Sequence, residues 1–146
     1  MNIFYKHTQK GFYRVFIFGC IMLFIALLTI YFHRQYVLSF ILFILVLALF
    51  LFSSLTTCVT DKYVKIWFGA GLIHRKFLLS EIHSVRIAKT PWYYGWGIRC
   101  IPEGLLFNVK GNLSIELQMK NGKIYRIGTD EAEKLKQAIV SALNNM

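Results

Sequence analysis

The sequence predicts an α+β protein with a transmembrane helical hairpin near its N-terminus. About seven strands should follow, as a partly open β-barrel or orthogonal sandwich capped by a C-terminal helix. Residues 15–55 form two apolar runs that are separated only by His33, Arg34 and Gln35, and later residues alternate between apolar and polar. Continuous apolar runs are typical of membrane-spanning helices, and alternation is typical of half-buried strands.

Composition divides the 146-residue chain in the same way. Hydrophobic residues make up 56% of it and its net charge is +10, yet Arg34 is the only charged residue in 15–55. The sequence therefore predicts a basic cytoplasmic N-terminus (1–14), a transmembrane hairpin (15–55) and a C-terminal domain (56–146). A segment of that last length is enough for one compact domain and too short for two.

Each apolar run is long enough to span a bilayer. Val15 to Phe32 contains 18 residues and Tyr36 to Leu55 contains 20, and a helix needs roughly 17 to 25 apolar residues to cross about 30 Å of hydrocarbon. Two buried core helices are the alternative. We disfavour it because the remaining residues form a body too small to bury two helices that are apolar on every side.

The basic residues predict how the hairpin is oriented. Lys6, Lys10 and Arg14 precede the first run, and Lys62 and Lys65 follow the second. Because cytoplasmic flanks of membrane spans carry an excess of Lys and Arg, both termini should face the cytoplasm.

Alternation after the hairpin predicts the strands. In residues 63–68, Val64, Ile66 and Phe68 share one face, and the glycines that follow end the run. Further strands are predicted at residues 73–79, 83–89, 104–110, 114–120 and 123–128.

The last two predicted strands should form a hairpin, because Asn121-Gly122 lies between them and favours a tight turn. Two registers are open. A two-residue loop would pair Leu117 with Arg126, and a three-residue loop with a bulge would pair Met119 with Tyr125.

An amphipathic helix is predicted at the C-terminus. Asp130 and Glu133 have the spacing of a capping box at its start. The apolar residues that recur at helical spacing are Leu135, Ala138, Ile139, Ala142 and Leu143. This stripe should pack against the strands.

The most unusual segment is residues 89–99, which combine aromatic, glycine and basic residues. The candidate residues for binding a partner or lipid are Lys89, Trp92, Tyr93, Tyr94, Trp96 and Arg99. Two interpretations are open. The aromatic rings either cap the mouth of a small barrel, or they form a binding surface, since Trp and Tyr favour the headgroup layer and a basic residue gains about 1 kcal/mol near an anionic leaflet.

No pattern predicts catalysis, a metal or a cofactor. His74 and His83 lack metal-binding spacing, and Gly95-Trp96-Gly97 lacks the residues of a phosphate-binding loop. The three cysteines are isolated and should be reduced. We also expect no nucleic-acid partner, because membrane proteins carry basic flanks for topological reasons and no recognition motif is present.

Three blocks of sequence resemble one protein family: Pro91 to Arg99, Gly104 to Gly111 and Arg126 to Glu131. In order and spacing they are similar to bacterial pleckstrin-homology-like (bacterial PH) domains of small membrane proteins with an N-terminal pair of spans. The resemblance covers about Leu55 to Leu143. It implies a PH-like domain at the bacterial cytoplasmic (inner) membrane, and it carries over no catalytic or ligand residues.

Two functions remain open at this point. The first is a membrane-tethered PH-like adaptor or scaffold without catalysis, which binds a membrane or cytosolic protein by a sheet edge or by residues 89–99. The second is a module that binds an anionic lipid surface through the aromatic and basic residues of that segment. Both functions make the lipid bilayer an expected partner.

Overall fold

The computed structural model describes residues 2–32 and 35–145. Within these residues the chain forms nine β-strands and three α-helices. The strands are β1 (Ile3–Lys10), β2 (Ser54–Thr60), β3 (Tyr63–Phe68), β4 (Ile73–Leu78), β5 (Ile82–Lys89), β6 (Gly97–Ile101), β7 (Gly104–Asn108), β8 (Leu113–Met119) and β9 (Ile124–Gly128). The helices are α1 (Phe12–Phe32), α2 (Gln35–Leu51) and α3 (Ala132–Asn144).

The strands form two sheets. The first sheet has the order β1-β2-β3-β4 and is antiparallel throughout, and the second has the order β5-β8-β9-β7-β6. In the second sheet β7 runs parallel to β9, whereas the other neighbours are antiparallel. The α+β class is confirmed, but the sheets hold nine strands where about seven were predicted.

The transmembrane hairpin predicted for residues 15–55 is wrong. In residues 2–32 and 35–145 we find no helix that combines the length and the apolar character needed to cross a membrane. The second apolar run is divided, because α2 ends at Leu51 and Leu55 already lies in β2.

The predicted multi-pass location in the bacterial inner membrane, with both termini cytoplasmic, is wrong for the same reason. Of the connection that the same prediction places on the outer side (His33 to Gln35), His33 and Arg34 lie outside the described residues.

The N-terminal segment is a strand and not a basic tail. β1 pairs with β2 from Ile3 opposite Thr60 to Lys10 opposite Ser54, so the helical hairpin α1–α2 is inserted between two paired strands. At the junction, the Gly11 amide donates to the Ser53 carbonyl at 3.0 Å. The division of the chain at residues 14 and 55 stays a prediction.

The predicted strands from residue 63 onward are confirmed to within two residues at each end. β3 shows the expected alternation, with its even-numbered residues buried and its odd-numbered residues half-buried. β1, β2 and β6 are additional strands that the alternation did not predict.

The β8–β9 hairpin adopts neither predicted register. Leu117 pairs with Tyr125, and the Met119 amide donates to the Lys123 carbonyl at 2.9 Å. The loop therefore has three residues, and Gly122, at a φ of 81°, has the geometry of a G1 bulge because its amide also donates to the Met119 carbonyl at 2.9 Å. A positive φ at the last loop position favours glycine, which accounts for the choice of register.

The core lies between the sheets and α3. Leu135, Ala138, Ile139 and Ala142 are buried, which confirms the predicted apolar stripe of the last helix. The predicted capping box is wrong, because Glu131 precedes the helix and makes no side-chain capping bond.

The acidic residues before α3 instead bind β1. His7 Nε2 lies 2.7 Å from Asp130 Oδ1, and the Tyr5 hydroxyl donates to Glu131 Oε2 at 3.1 Å. A hydrogen bond from Lys134 lowers the pKa of Glu131, while burial and Glu131 together raise the pKa of Tyr5. These contacts attach the N-terminal strand to the last helix.

Candidate functional site

Residues 89–99 contain a strand end, a turn and a strand start. Lys89 ends β5, Trp92–Tyr94 form one 3-10 turn, and Gly97 begins β6. β5 and β6 are the two opposite edges of the second sheet, so the segment crosses from one edge to the other. Gly95 and Gly97 have φ values of 73° and 88°, which favour glycine.

Three of the four aromatic side chains of this segment are exposed, which does not fit the interpretation that the rings cap the mouth of a small barrel. Trp92 is 79% exposed, Tyr93 67% and Trp96 46%. Trp92 and Tyr93 meet edge to face with ring centroids 6.2 Å apart, and Tyr93 and Tyr94 do so at 5.1 Å. Trp92, Tyr93 and Tyr94, which we call the aromatic ladder, form one surface.

The other candidate residues of the segment lie around this ladder. The Arg99 Nε donates to the Trp96 carbonyl at 3.2 Å, so these two residues form a second group. The Tyr94 hydroxyl lies 3.4 Å from Glu103 Oε2, and partial burial together with the Glu103 charge raises the pKa of Tyr94. Lys89 ends the opposite edge strand and is the candidate least associated with the rest.

The segment lies next to the base of the helical hairpin. A Cβ at Gly97 would be 3.7 Å from the Phe52 ring, and Phe52 packs edge to face on Phe68 with centroids 5.3 Å apart. On the other side, Gln9 Nε2 donates to the Lys110 carbonyl at 2.6 Å, which joins the end of β1 to the loop after β7. Both sheets therefore support the point where the hairpin begins.

The hairpin α1–α2 carries the most extensive exposed apolar surface that we find in the described residues. α1 and α2 pack against each other, but none of their described side chains is buried. Met22, Ile25 and Ala26 are half-buried at the spacing of one helix face, which marks the seam between the helices. The side chains more than 60% exposed are Phe16, Leu23, Phe24, Ile30, Tyr31, Tyr36, Val37, Phe40 and Phe43.

Such a surface is unusual for a protein chain on its own. Monomers rarely expose contiguous apolar patches larger than a few hundred Å², and larger patches mark interaction sites. Each Phe or Leu gains roughly 1.5 to 3 kcal/mol when it moves from water to an apolar environment. The apolar runs were identifiable in the sequence, but the membrane-spanning role predicted for them is wrong.

A buried ion cluster lies in the second sheet. Glu116 is only 2% exposed and accepts hydrogen bonds from Arg86 Nε at 2.7 Å and Arg126 Nε at 2.8 Å. Burial opposes the charge of Glu116, but the two arginines outweigh it and lower the pKa of this carboxyl. Because the carboxylate is held by hydrogen bonds on both oxygens, this cluster is structural in character.

No three metal-binding side chains converge anywhere in the part of the chain that the structure describes. Cys20 and Cys100 are exposed and Cys58 is buried, each with a free thiol. The expectations of no enzyme and no cofactor stay predictions.

No protein-family model, curated protein or solved structure matches this chain. The assignment to bacterial PH-like membrane proteins is therefore wrong: no family match supports it, and the transmembrane hairpin that it implies is not found in the described residues. The fold defines the chain more generally as a two-sheet α+β protein with an inserted apolar helical hairpin.

Proposed function

We propose that this chain is an adaptor without catalytic activity, and that the hairpin α1–α2 is the surface that docks its protein partner. The observation that carries this proposal is the exposure of apolar side chains on both helices, outside the seam between them. An exposed apolar surface of this kind is stabilised when a partner removes it from water.

Charge distribution supports an apolar partner. Residues 15–32 and 35–51 contain no charged residue. Ion pairs therefore cannot select the partner along most of the hairpin, and recognition there depends on the fit between apolar side chains. Helices that pack in this way place the ridges of one surface into the grooves of another.

The attachment of the hairpin supports an adaptor role. α1 and α2 continue directly into the paired strands β1 and β2, and the bond from Gly11 to Ser53 closes the base. A partner docked on the hairpin is thereby held at a fixed position relative to both sheets. The aromatic ladder and the sheet edges are then presented beside that partner.

Substitutions on the hairpin test the proposal. Phe24 on α1 and Phe43 on α2 are 63% and 64% exposed, so aspartate at either position should leave the isolated chain folded. Phe24→Asp together with Phe43→Asp should abolish co-purification of a partner, because each aspartate would be buried without a counter-charge. Quantitative mass spectrometry of the affinity-purified full chain measures the stoichiometry.

Leu72→Asp is the matched control, since Leu72 is 73% exposed in the turn between β3 and β4, away from the helices. This variant should retain one partner polypeptide at the wild-type ratio. Equal loss from both variants, or co-purification of no partner at constant ratio, would contradict the proposal. Self-association of the chain without another protein would contradict the adaptor role as well.

A second candidate function is binding of an anionic lipid surface by residues 89–99. It is favoured by the exposure of Trp92, Tyr93 and Trp96 beside the basic Arg99. Aromatic rings of this kind settle in the headgroup layer, and nearby Lys or Arg is attracted to anionic lipid. The net charge of +10 adds to that attraction.

Vesicle binding tests this second candidate. Full-length protein should co-sediment with vesicles of phosphatidylglycerol and phosphatidylcholine more strongly at low salt than at high salt, because salt screens the attraction. Trp92→Ala with Arg99→Glu should remove the salt-dependent part, whereas Leu72→Ala with Lys62→Glu should not. Salt-independent binding of the wild type, or an equal loss of vesicle binding from both double variants, would exclude this role for the segment.

A further inference from the structure

Two unpaired sheet edges flank an opening between the sheets. β4 ends the first sheet and β6 ends the second, so each pairs with one neighbour only. A cavity of about 140 Å³ lies between them. Its apolar walls come from both sheets, namely Ile66, Phe68, Ile73, Ile98, Leu105 and Phe107. A cavity of about 150 Å³ with such walls can hold a benzene-sized group.

Arg75 on β4 lies across this opening. Its Nη2 donates to the Tyr125 hydroxyl at 3.0 Å, and its guanidinium carbon lies 4.7 Å from the Tyr125 ring centroid and 5.9 Å from that of Phe77. A second, wider cavity of about 440 Å³ lies beyond it, lined in part by Glu103 and Lys123. Arg75 therefore separates the two cavities and is fixed in place by aromatic rings.

Arg75 has N–H donors that are not used by Tyr125. A guanidinium carries five N–H donors, and the bond to Tyr125 uses one of them. In residues 2–32 and 35–145 no carboxylate forms an ion pair with Arg75, whereas Arg86 and Arg126 both hold Glu116. A planar guanidinium fixed by stacking is well suited to bind a carboxylate through two parallel bonds.

We propose that the opening between β4 and β6, which we call the cleft, binds an extended acidic peptide segment of a protein partner. The peptide adds as a strand to the free edge of β4. Residues two apart on a strand share a face. If an acidic residue of the peptide lies opposite Arg75, the peptide residue two positions away therefore lies on the same face of the strand. That residue is then at the level of Ile73 and the apolar cavity. The cleft selects an acidic residue and an apolar residue separated by one position.

Two further features agree with this occupant. The edge of a sheet offers an unpaired row of backbone donors and acceptors, which an extended peptide satisfies. His74, Arg75 and Lys76 are consecutive and exposed on β4, so the edge attracts acidic segments and repels basic ones. The hairpin α1–α2 does not contribute to this site, because the apolar cavity is lined by β3, β4, β6 and β7 and the partner of Arg75, Tyr125, lies in β9.

Peptide binding to the full chain tests the inference. The probe is a fluorescein-labelled nine-residue peptide of threonines with one central aspartate and a leucine two positions away, and fluorescence anisotropy measures its dissociation constant. We expect saturable binding that weakens about tenfold when lysine replaces the aspartate, because one charge-assisted pair is lost. Proline in place of the threonine between the aspartate and the leucine should also weaken binding, because it disfavours strand pairing with the sheet edge while both recognised side chains remain.

Variants of the protein locate the site. Arg75→Ala should weaken binding about tenfold, and Lys62→Ala, at an exposed lysine in the turn between β2 and β3, by less than about threefold. Arg75→Lys keeps the charge but loses the planar fork, so an intermediate loss is expected even if the alanine variant fails to fold. Absence of saturable binding, equal binding of the lysine peptide, or equal loss from the two alanine variants would overturn the proposal.

Discussion

Replacing Leu135 by aspartate should unfold the chain. Leu135 is fully buried at the centre of the apolar stripe of α3 and belongs to the common core of both sheets. A carboxylate at this position has no partner, and burying an unpaired charge is among the changes that cost more than about 4 kcal/mol. Circular dichroism should show loss of the native β signal at 25 °C.

Gln137→Asp is the matched control on the same helix, because Gln137 is exposed. It introduces the same carboxylate one half-turn away and should change the free energy of unfolding by less than about 0.5 kcal/mol. If Leu135→Asp were as stable as Gln137→Asp, α3 would not be packed on the core.

Replacing Glu116 by alanine should lower the free energy of unfolding by about 3 to 5 kcal/mol. The variant leaves Arg126, which is 8% exposed, without the carboxylate that it binds at 2.8 Å. Urea denaturation measures the effect as a lower midpoint with an unchanged slope.

Two further variants separate the effect of the Glu116–Arg126 ion pair on stability from the effect of losing one carboxyl group. Glu133→Ala removes an exposed carboxyl and should be close to neutral. Glu116→Leu combined with Arg126→Met should recover much of the stability, because replacing a whole buried ion pair with apolar groups is often tolerated. A Glu116→Ala variant as stable as wild type would show that this cluster contributes nothing to the fold.

The ion cluster also predicts how stability depends on pH. The pKa of Glu116 in the folded chain lies below its ordinary value of 4.5. Its contribution to stability is therefore complete above pH 4.5 and is lost as the pH falls through the folded pKa. The double variant without this pair should lose less stability on acidification than the wild type does.

The sequence was sufficient to predict the strands that alternate in a simple way. β3 and β8 each place an apolar face on the core, and the stripe of α3 recurs at helical spacing. In such elements local pattern and burial agree, so the pattern alone identifies them.

Long-range pairing explains what the sequence could not predict. β1 contains no clear alternation and is a strand because β2 lies beside it, although α1 and α2 separate the two in sequence. Likewise, the division of the second apolar run between α2 and β2 depends on the pairing of Leu55 with Phe68 in β3. Hydropathy records only that residues avoid water and does not distinguish helix, strand, protein interior or partner surface.

The candidate sites show the same limit. The aromatic and basic residues of 89–99 were identifiable from composition, but their exposure was not. Arg75 was not predicted as a candidate residue, because its contact with Tyr125 joins β4 to β9 across the two sheets. No spacing rule in the sequence connects these two residues.

The docking role of the hairpin is tested most directly by a photo-cross-linker placed at position 43 in living cells. Phe43 is exposed on α2, so benzoylphenylalanine fits there without disturbing the core. We expect one adduct with a protein other than this chain, and none from the same group at position 72. Adducts only between copies of the chain, or equal labelling from both positions, would contradict it.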